Sequence, residues 1–286
     1  MARTEFRAGQ FTGFEVELRP PGIALITFNE PERMNGLTPP KKRDLIETLT
    51  QAQMSDEVRV VVFAGAGRAF CAGDSLTGYS AAAEGRVPEI FHGHHNPIGT
   101  YNGLRTISQG LNLAVRNLDK MTVAAVNGYA IQTGLSLALS CDFRVAASDA
   151  QLGSATLRFA LLPDEGGQAL LVQHLGLGRA LDFMLRKRIV SAEEALSLGL
   201  VNEVVEPERL LDTALALAEE LATGPQVAMR MLKRSIYNAA ELTFNQALDE
   251  IASKTALTDW HADAKEGQAA FVEKRKPQFN AWLERS

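Results

Sequence analysis

Residues 124–167 read AAVNGYAIQTGLSLALSCDFRVAASDAQLGSATLRFALLPDEGG. The run 122–126 is β-branched and alanine-rich, the composition of a buried strand, and Asn127-Gly128 supplies residues that tolerate positive φ and can turn the chain. Thr133-Gly134 then opens Leu135-Ser136-Leu137-Ala138-Leu139, a short apolar helix. The first N–H groups of a helix lack intrahelical acceptors and sit at the positive end of its dipole, so whatever lies beyond this turn meets hydrogen-bond donors. Such a place suits an oxygen that gains negative charge during a reaction. A second strand-like run follows, and the turn Leu162-Pro163-Asp164-Glu165-Gly166-Gly167 closes the stretch.

An upstream segment has the same form. Residues 58–64 are a β-branched, strand-like run that ends in Gly65-Ala66-Gly67-Arg68-Ala69-Phe70-Cys71-Ala72-Gly73-Asp74-Ser75-Leu76, whose small residues let a ligand approach the backbone closely. The pair GAGRAFCAGDSL and AAVNGYAIQTGLSLALSCD resembles the two signature segments of the crotonase family, the enoyl-CoA hydratases and isomerases. The likeness runs from about residue 22 to residue 278, and two separated motifs in the right order carry it. It implies an α/β fold, a crotonase-like spiral of ββα units over residues 13–206, followed by a C-terminal helical trimerisation region over 207–286. It also implies an acyl-CoA thioester substrate whose carbonyl oxygen is held by the backbone N–H groups of Asp74 and Thr133, with Ala72, Gly73 and Gly134 lining the hole. Arg33, Phe271 and Lys274 lie where the resemblance suggests contact with CoA, the last two in EGQAAFVEKRKPQF, a match to the family's C-terminal motif. A homotrimer or a dimer of trimers is the assembly implied.

The resemblance also isolates what this chain lacks. In the hydratases two glutamates flank the hole, and the matching positions here are Ser136 and Thr156. Neither side chain ionises near neutrality, so neither can be the general base that hydration needs. One carboxylate remains at a family catalytic position, Asp164, which some relatives use to carry a proton. A helix follows it, so capping that helix is the competing reading. Glu165 beside it is the second candidate. The resemblance therefore favours movement of a double bond by proton transfer through a thioester-stabilised enolate. The alternatives are hydration or thioester hydrolysis with a differently placed base, or acyl-CoA binding without catalysis. Asp74 puts a carboxylate at the hole itself, and its side chain is expected to point outward. No metal or redox cofactor is required by proton transfer.

Composition narrows the classes further. The chain has 286 residues, 46% hydrophobic and 22% charged, with a net charge of −5 and dispersed Lys and Arg, which argues against a nucleic-acid surface. No apolar run approaches the roughly 20 residues that span a bilayer, and MARTEFRAGQ lacks the apolar centre of a signal peptide, so no membrane partner and a cytoplasmic location are expected. Cys71 and Cys141 lack metal-ligand spacing and read as small buried thiols.

Periodicity supplies the remaining elements. Residues 1–12 read as loose. A hairpin pairs 14–18 with 23–28, and Thr38-Pro39 caps a helix with Leu45, Ile46, Leu49 and Ala52 on its buried face. Residues 77–105 read as a long loop bordering the acyl pocket, in which His92, His94 and His95 crowd together as weak metal or substrate-lining candidates. Beyond Pro207 only helical periodicity appears.

Overall fold

Strand β2 (Phe14–Arg19) alternates buried and exposed residues, and it pairs antiparallel with the apolar β3 (Ile23–Phe28). The computed structural model describes residues 5–75 and 96–284. Within it, β1 (Gly9–Phe11) pairs with β2, which corrects the expectation that everything before residue 13 is loose. Phe11 stacks on Phe14 at 4.9 Å, so an apolar ring contact accompanies the pairing. Helix α1 (Pro39–Met54) starts where Thr38 accepts the Lys41 N–H, and it buries Lys42, Leu45, Leu49 and Ala52 along one stripe.

The next strands come in couples. β4 (Val60–Gly65) is followed by β5 (Ala69–Cys71), β6 (Met121–Val126) by β7 (Tyr129–Ile131), and β8 (Phe143–Ala147) by β9 (Gln151–Gly153). The first member of each couple joins a sheet ordered β1-β2-β3-β4-β6-β8-β11, where β11 is Glu203–Val205; from β3 onward its neighbours are parallel. The second member joins a smaller sheet ordered β10-β9-β7-β5, where β10 is Ile189–Ser191. Strands parallel in both sheets need crossovers, and helices supply them. These include α2 (Pro97–Gly103), which runs through a π-helical turn at Leu104–Ser108 into α3 (Gln109–Arg116), and α4 (Thr133–Ser140). The end of the expected loop at 97–103 is thus helical, capped by Asn96, whose side chain accepts the Gly99 N–H.

Burial explains the sequence of the central strands. Val60, Val61, Val62 and Phe63 are fully buried, each worth roughly 1.5–3 kcal/mol against exposure, and β6 is buried along its whole length. After α5 (Gly167–Leu175), α6 (Leu177–Leu185) and α7 (Ala192–Ser197), helix α8 (Leu210–Thr223) packs on β4, β6 and β8. Ala214, Ala218 and Ala222 form its fully buried face, small enough for close approach to the sheet. Helices α9 (Gln226–Ala239), α10 (Phe244–Asp259), α11 (Ala262–Glu273) and α12 (Ala281–Glu284) follow. Among the described residues no helix is long and apolar enough to cross a membrane.

Candidate active site

β5 and β7 are parallel neighbours, with Ala69 opposite Tyr129 and Cys71 opposite Ala130. The segments that leave their C-terminal ends, 72–75 and 132–134, therefore emerge side by side. Gly73 takes φ +101°, a conformation L side chains rarely adopt, and a Cβ there would lie 3.1 Å from the Ile131 carbonyl oxygen, so glycine allows the approach. Gly134 is tighter still: a Cβ would fall 1.9 Å from the Cys71 carbonyl oxygen.

Backbone pairing aims the N–H groups. Leu37 bridges Asp74 in parallel, its N–H donating to Gly73 O at 2.9 Å and its carbonyl accepting Ser75 N–H at 2.9 Å. Residues 73 and 75 thus face Leu37, and strand alternation turns the Asp74 N–H to the opposite side. Thr133 is the first residue of α4, where an N–H lacks an intrahelical acceptor. Gln132 before it holds φ 54° and ψ −110°, an uncommon state for a residue with a side chain, fixed by its N–H to Gly153 O at 2.9 Å. A carbonyl oxygen placed between these two segments would meet two backbone donors.

The side chains correct one expectation. Asp74 does not turn outward: its Oδ2 accepts from Lys42 Nζ at 2.8 Å and its Oδ1 lies 2.9 Å from the Thr133 hydroxyl oxygen. Lys42 is 1% exposed and also donates to Ser108 Oγ at 2.9 Å. The carboxylate that would oppose an oxyanion is therefore neutralised by a buried ammonium ion. Sequence reading missed Lys42, Ser108 and Gln132. A signal was present for the lysine, which lies three and seven residues before Leu45 and Leu49 on the buried stripe of α1.

Asp164 is corrected too, as a cap. Helix α5 begins at Gly167 with Gly166 in the N-cap position, φ +101°, and no side chain caps it. Asp164 stands two residues earlier in a turn held by Gln109 Nε2, which donates to the Asp164 carbonyl at 3.0 Å. Pro163 beside it is buried, while Leu161 and Leu162 are 54% and 73% exposed. The carboxyl instead enters the cluster around Thr133. Burial, the charge of Glu165, a hydrogen bond to Glu165 and the charge of Asp74 push it from 3.8 up to about 7, with Lys42 pulling the other way.

Glu165 is the most buried acid of the group at 4% exposure. Its carboxylate accepts from Gln132 Nε2 at 3.3 Å and lies against the Thr133 hydroxyl, whose one proton serves either this acid or Asp74, and Ser154 Oγ donates to Gln132 Oε1 at 3.1 Å. Asp74, Asp164 and Glu165 each present an oxygen within 4.8 Å of the others, a spacing at which carboxylates raise one another's hold on a proton or hold a cation; here an ammonium ion already faces Asp74. Ser136 is 2% exposed beside Gly167, and the Thr156 hydroxyl is buried without a hydrogen-bond partner; neither carries an ionisable group.

The other expected contacts lie apart. Arg33 is largely exposed and stands 3.7 Å from Glu30, Phe271 is 86% exposed, and Lys274 ends α11 in a left-handed conformation. Among the described residues none of the three shares a hydrogen bond with the cluster. Ala72 is half-buried and Gly134 buried, both within the segments of the hole. His92, His94 and His95 lie outside the described residues. Cys71 and Cys141 are buried, and that burial pushes both thiols up to about 12. A cavity of about 410 Å³ lies at the opposite, C-terminal end of α4, lined by Leu139, Cys141, Arg144 and Tyr237, and shares no residue with the cluster.

Comparison with known proteins places this arrangement. The family model for enoyl-CoA hydratase/isomerase matches residues 19–282. This chain belongs to the enoyl-CoA hydratase/isomerase family. It is 35% identical over 261 residues to the 1,2-epoxyphenylacetyl-CoA isomerase of Escherichia coli K12, covering 90% of this chain and 95% of that one. It is 30% identical over 260 residues to the short-chain-enoyl-CoA hydratase of Clostridium acetobutylicum, covering 89% and 92%. The crystal structure of an enoyl-CoA hydratase from Bacillus anthracis superposes with a TM-score of 0.85 at 30% identity, over 94% of this chain and 99% of that one. The crotonase fold and an acyl-CoA substrate class follow from this membership, while relatives of comparable identity carry isomerase and hydratase names alike.

Proposed function

We propose that this family member is an acyl-CoA isomerase that moves a double bond by carrying one proton between two carbons of a thioester-stabilised enolate. The observation that carries the reading is the Asp164 carboxyl: it caps no helix, it stands among the residues of the hole, and its value of about 7 suits a group that must both take and return a proton near neutrality. The N–H groups of Asp74 and Thr133 hold the enolate oxygen, each worth roughly 3–4 kcal/mol in comparable oxyanion chemistry. Asp164 takes the proton from the first carbon, the C–H electrons pass to the oxygen, and the same proton returns to the second carbon. The scheme draws on no metal or redox cofactor. Arg33, Phe271 and Lys274 bind CoA in this reading, the helical region 207–286 joins spiral cores of residues 13–206 into a trimer or a dimer of trimers, and the protein works in the cytoplasm.

Ser136 and Thr156 support isomerisation over hydration, because neither can activate water. Glu165, buried in the same cluster, is the observation that favours the rival, hydration with this residue as base. The test is a panel of enoyl-CoA thioesters of different chain length and double-bond position, assayed for migration, hydration and thioester cleavage. Migration with crotonyl-CoA hydration very slow or absent is the expected outcome. Robust hydration by the unmodified protein overturns the assignment, and binding without turnover across the panel leaves an acyl-CoA-binding protein.

A further inference from the structure

The cluster holds a second carboxyl that the reaction above does not use. Glu165 is nearly inaccessible: Gln132 Nε2 donates to one of its oxygens at 3.3 Å, the other lies against the Thr133 hydroxyl, and its carboxyl stands within 4.8 Å of that of Asp164, oxygen to oxygen. Two carboxyl groups make a hydrogen bond only when a proton lies between them. A contact of this kind forms as Asp164 becomes protonated and is lost when both groups are ionised.

We propose that Glu165 is the positioning residue of the proton carrier, its carboxylate accepting a hydrogen bond from the proton that Asp164 removes from substrate and so fixing that carboxyl for return of the proton. The inference rests on the isomerase reading for its consequence, but its physical content is a property of the unliganded protein. The balance is simple. The substrate C–H bond breaks, the O–H bond on Asp164 forms, the electron pair goes to the enolate, and the new O–H donates to Glu165 until the proton is delivered to the second carbon. Gln132 keeps Glu165 in place, donating to it from the turn that also supplies the hole, and the Thr133 hydroxyl lies against its other oxygen. The charged groups facing Asp164 are Glu165 from its own turn, Asp74 from the segment after β5 and Lys42 from α1; the first two strengthen its hold on a proton and the last weakens it.

The test uses the full-length protein without substrate, labelled with ¹³C at Asp and Glu side-chain carboxyls. In the wild type, the Asp164 carbon should titrate near pH 7, and the Glu165 carbon should sense that step as an inflection at the same pH through the hydrogen bond it gains. In Glu165→Gln, which keeps the shape and removes the charge, the Asp164 midpoint should fall by at least about one pH unit. Solvent-deuterium exchange into a substrate thioester should then lose roughly tenfold at pH 8, with its acid limb displaced to lower pH by the same amount as the midpoint. An unchanged Asp164 midpoint in folded Glu165→Gln overturns the proposal. Should that variant fail to fold, the absence of a shared inflection in the wild type overturns it equally. If no thioester is turned over, the titration still decides the pairing, and the failure belongs to the isomerase reading alone.

Discussion

Replacing Asp164 with asparagine separates chemistry from structure, because asparagine keeps the shape, and this aspartate caps no helix whose stability would suffer. Two effects follow, and they point in opposite directions. A general base contributes about 10²- to 10⁴-fold, so exchange of substrate α- and γ-protons with deuterated solvent, and migration of the double bond, should each fall at least about 10²-fold while CoA thioester still binds. Stability should move the other way at high pH. A carboxyl whose folded value is raised from 3.8 to about 7 favours the folded state when protonated; that contribution is whole below about pH 4 and is lost as pH rises through about 7. The displacement corresponds to about 4 kcal/mol in a fully buried group. Partial exposure discounts this to about 1–2 kcal/mol. Asp164→Asn never meets that loss, so at pH 8 it should melt about 2–6 °C above the wild type, and at pH 4 the two should nearly coincide. Calorimetry at the two pH values, with exchange followed by NMR, reads both effects. Unchanged exchange in a folded, thioester-binding variant would refute the role of Asp164, and a variant less stable than the wild type at pH 8 would refute the account of its burial.

Gly134→Ala should overpack the hole, since the added Cβ would meet the Cys71 carbonyl oxygen at 1.9 Å. A loss of about 1–3 kcal/mol in urea unfolding, together with loss of turnover, is expected; a stable and active variant would show that 72–75 and 132–134 are not so close. Assembly is predicted from the helices α9–α11 and their connections, where Leu232, Ile236, Phe244, Trp260 and Phe271 are more than half exposed in the single chain. Light scattering should give about three or six times 31.0 kDa, and a monomer mass at micromolar concentration would sink that expectation.

Local signals carried much of the fold. The apolar runs of β4 and β6, the Thr38-Pro39 start of α1, the all-helical run beyond Pro207 and the turn at 127–128 are legible because strand burial, helix capping and turn formation depend on neighbours in sequence. The two hole segments were legible for the same reason, as small residues following strands. What the sequence by itself could not decide was the direction of side chains, and there the tertiary structure reversed one reading and removed the rival to another. Asp74 points inward because Lys42, 32 residues away on α1, offers it a buried ammonium, and no local rule places those two together. Asp164 is a cluster member rather than a cap because Gly166, with φ +101°, takes the N-cap position and the neighbouring β7–α4 turn brings Thr133 to Glu165. Electrostatics makes that difference matter. A carboxyl's proton affinity is set by the charges and the solvent within a few ångströms of it; Glu165 is beside Asp164 in the chain, but its burial, Asp74 from the segment after β5 and Lys42 from α1 come only from the packing of the spiral.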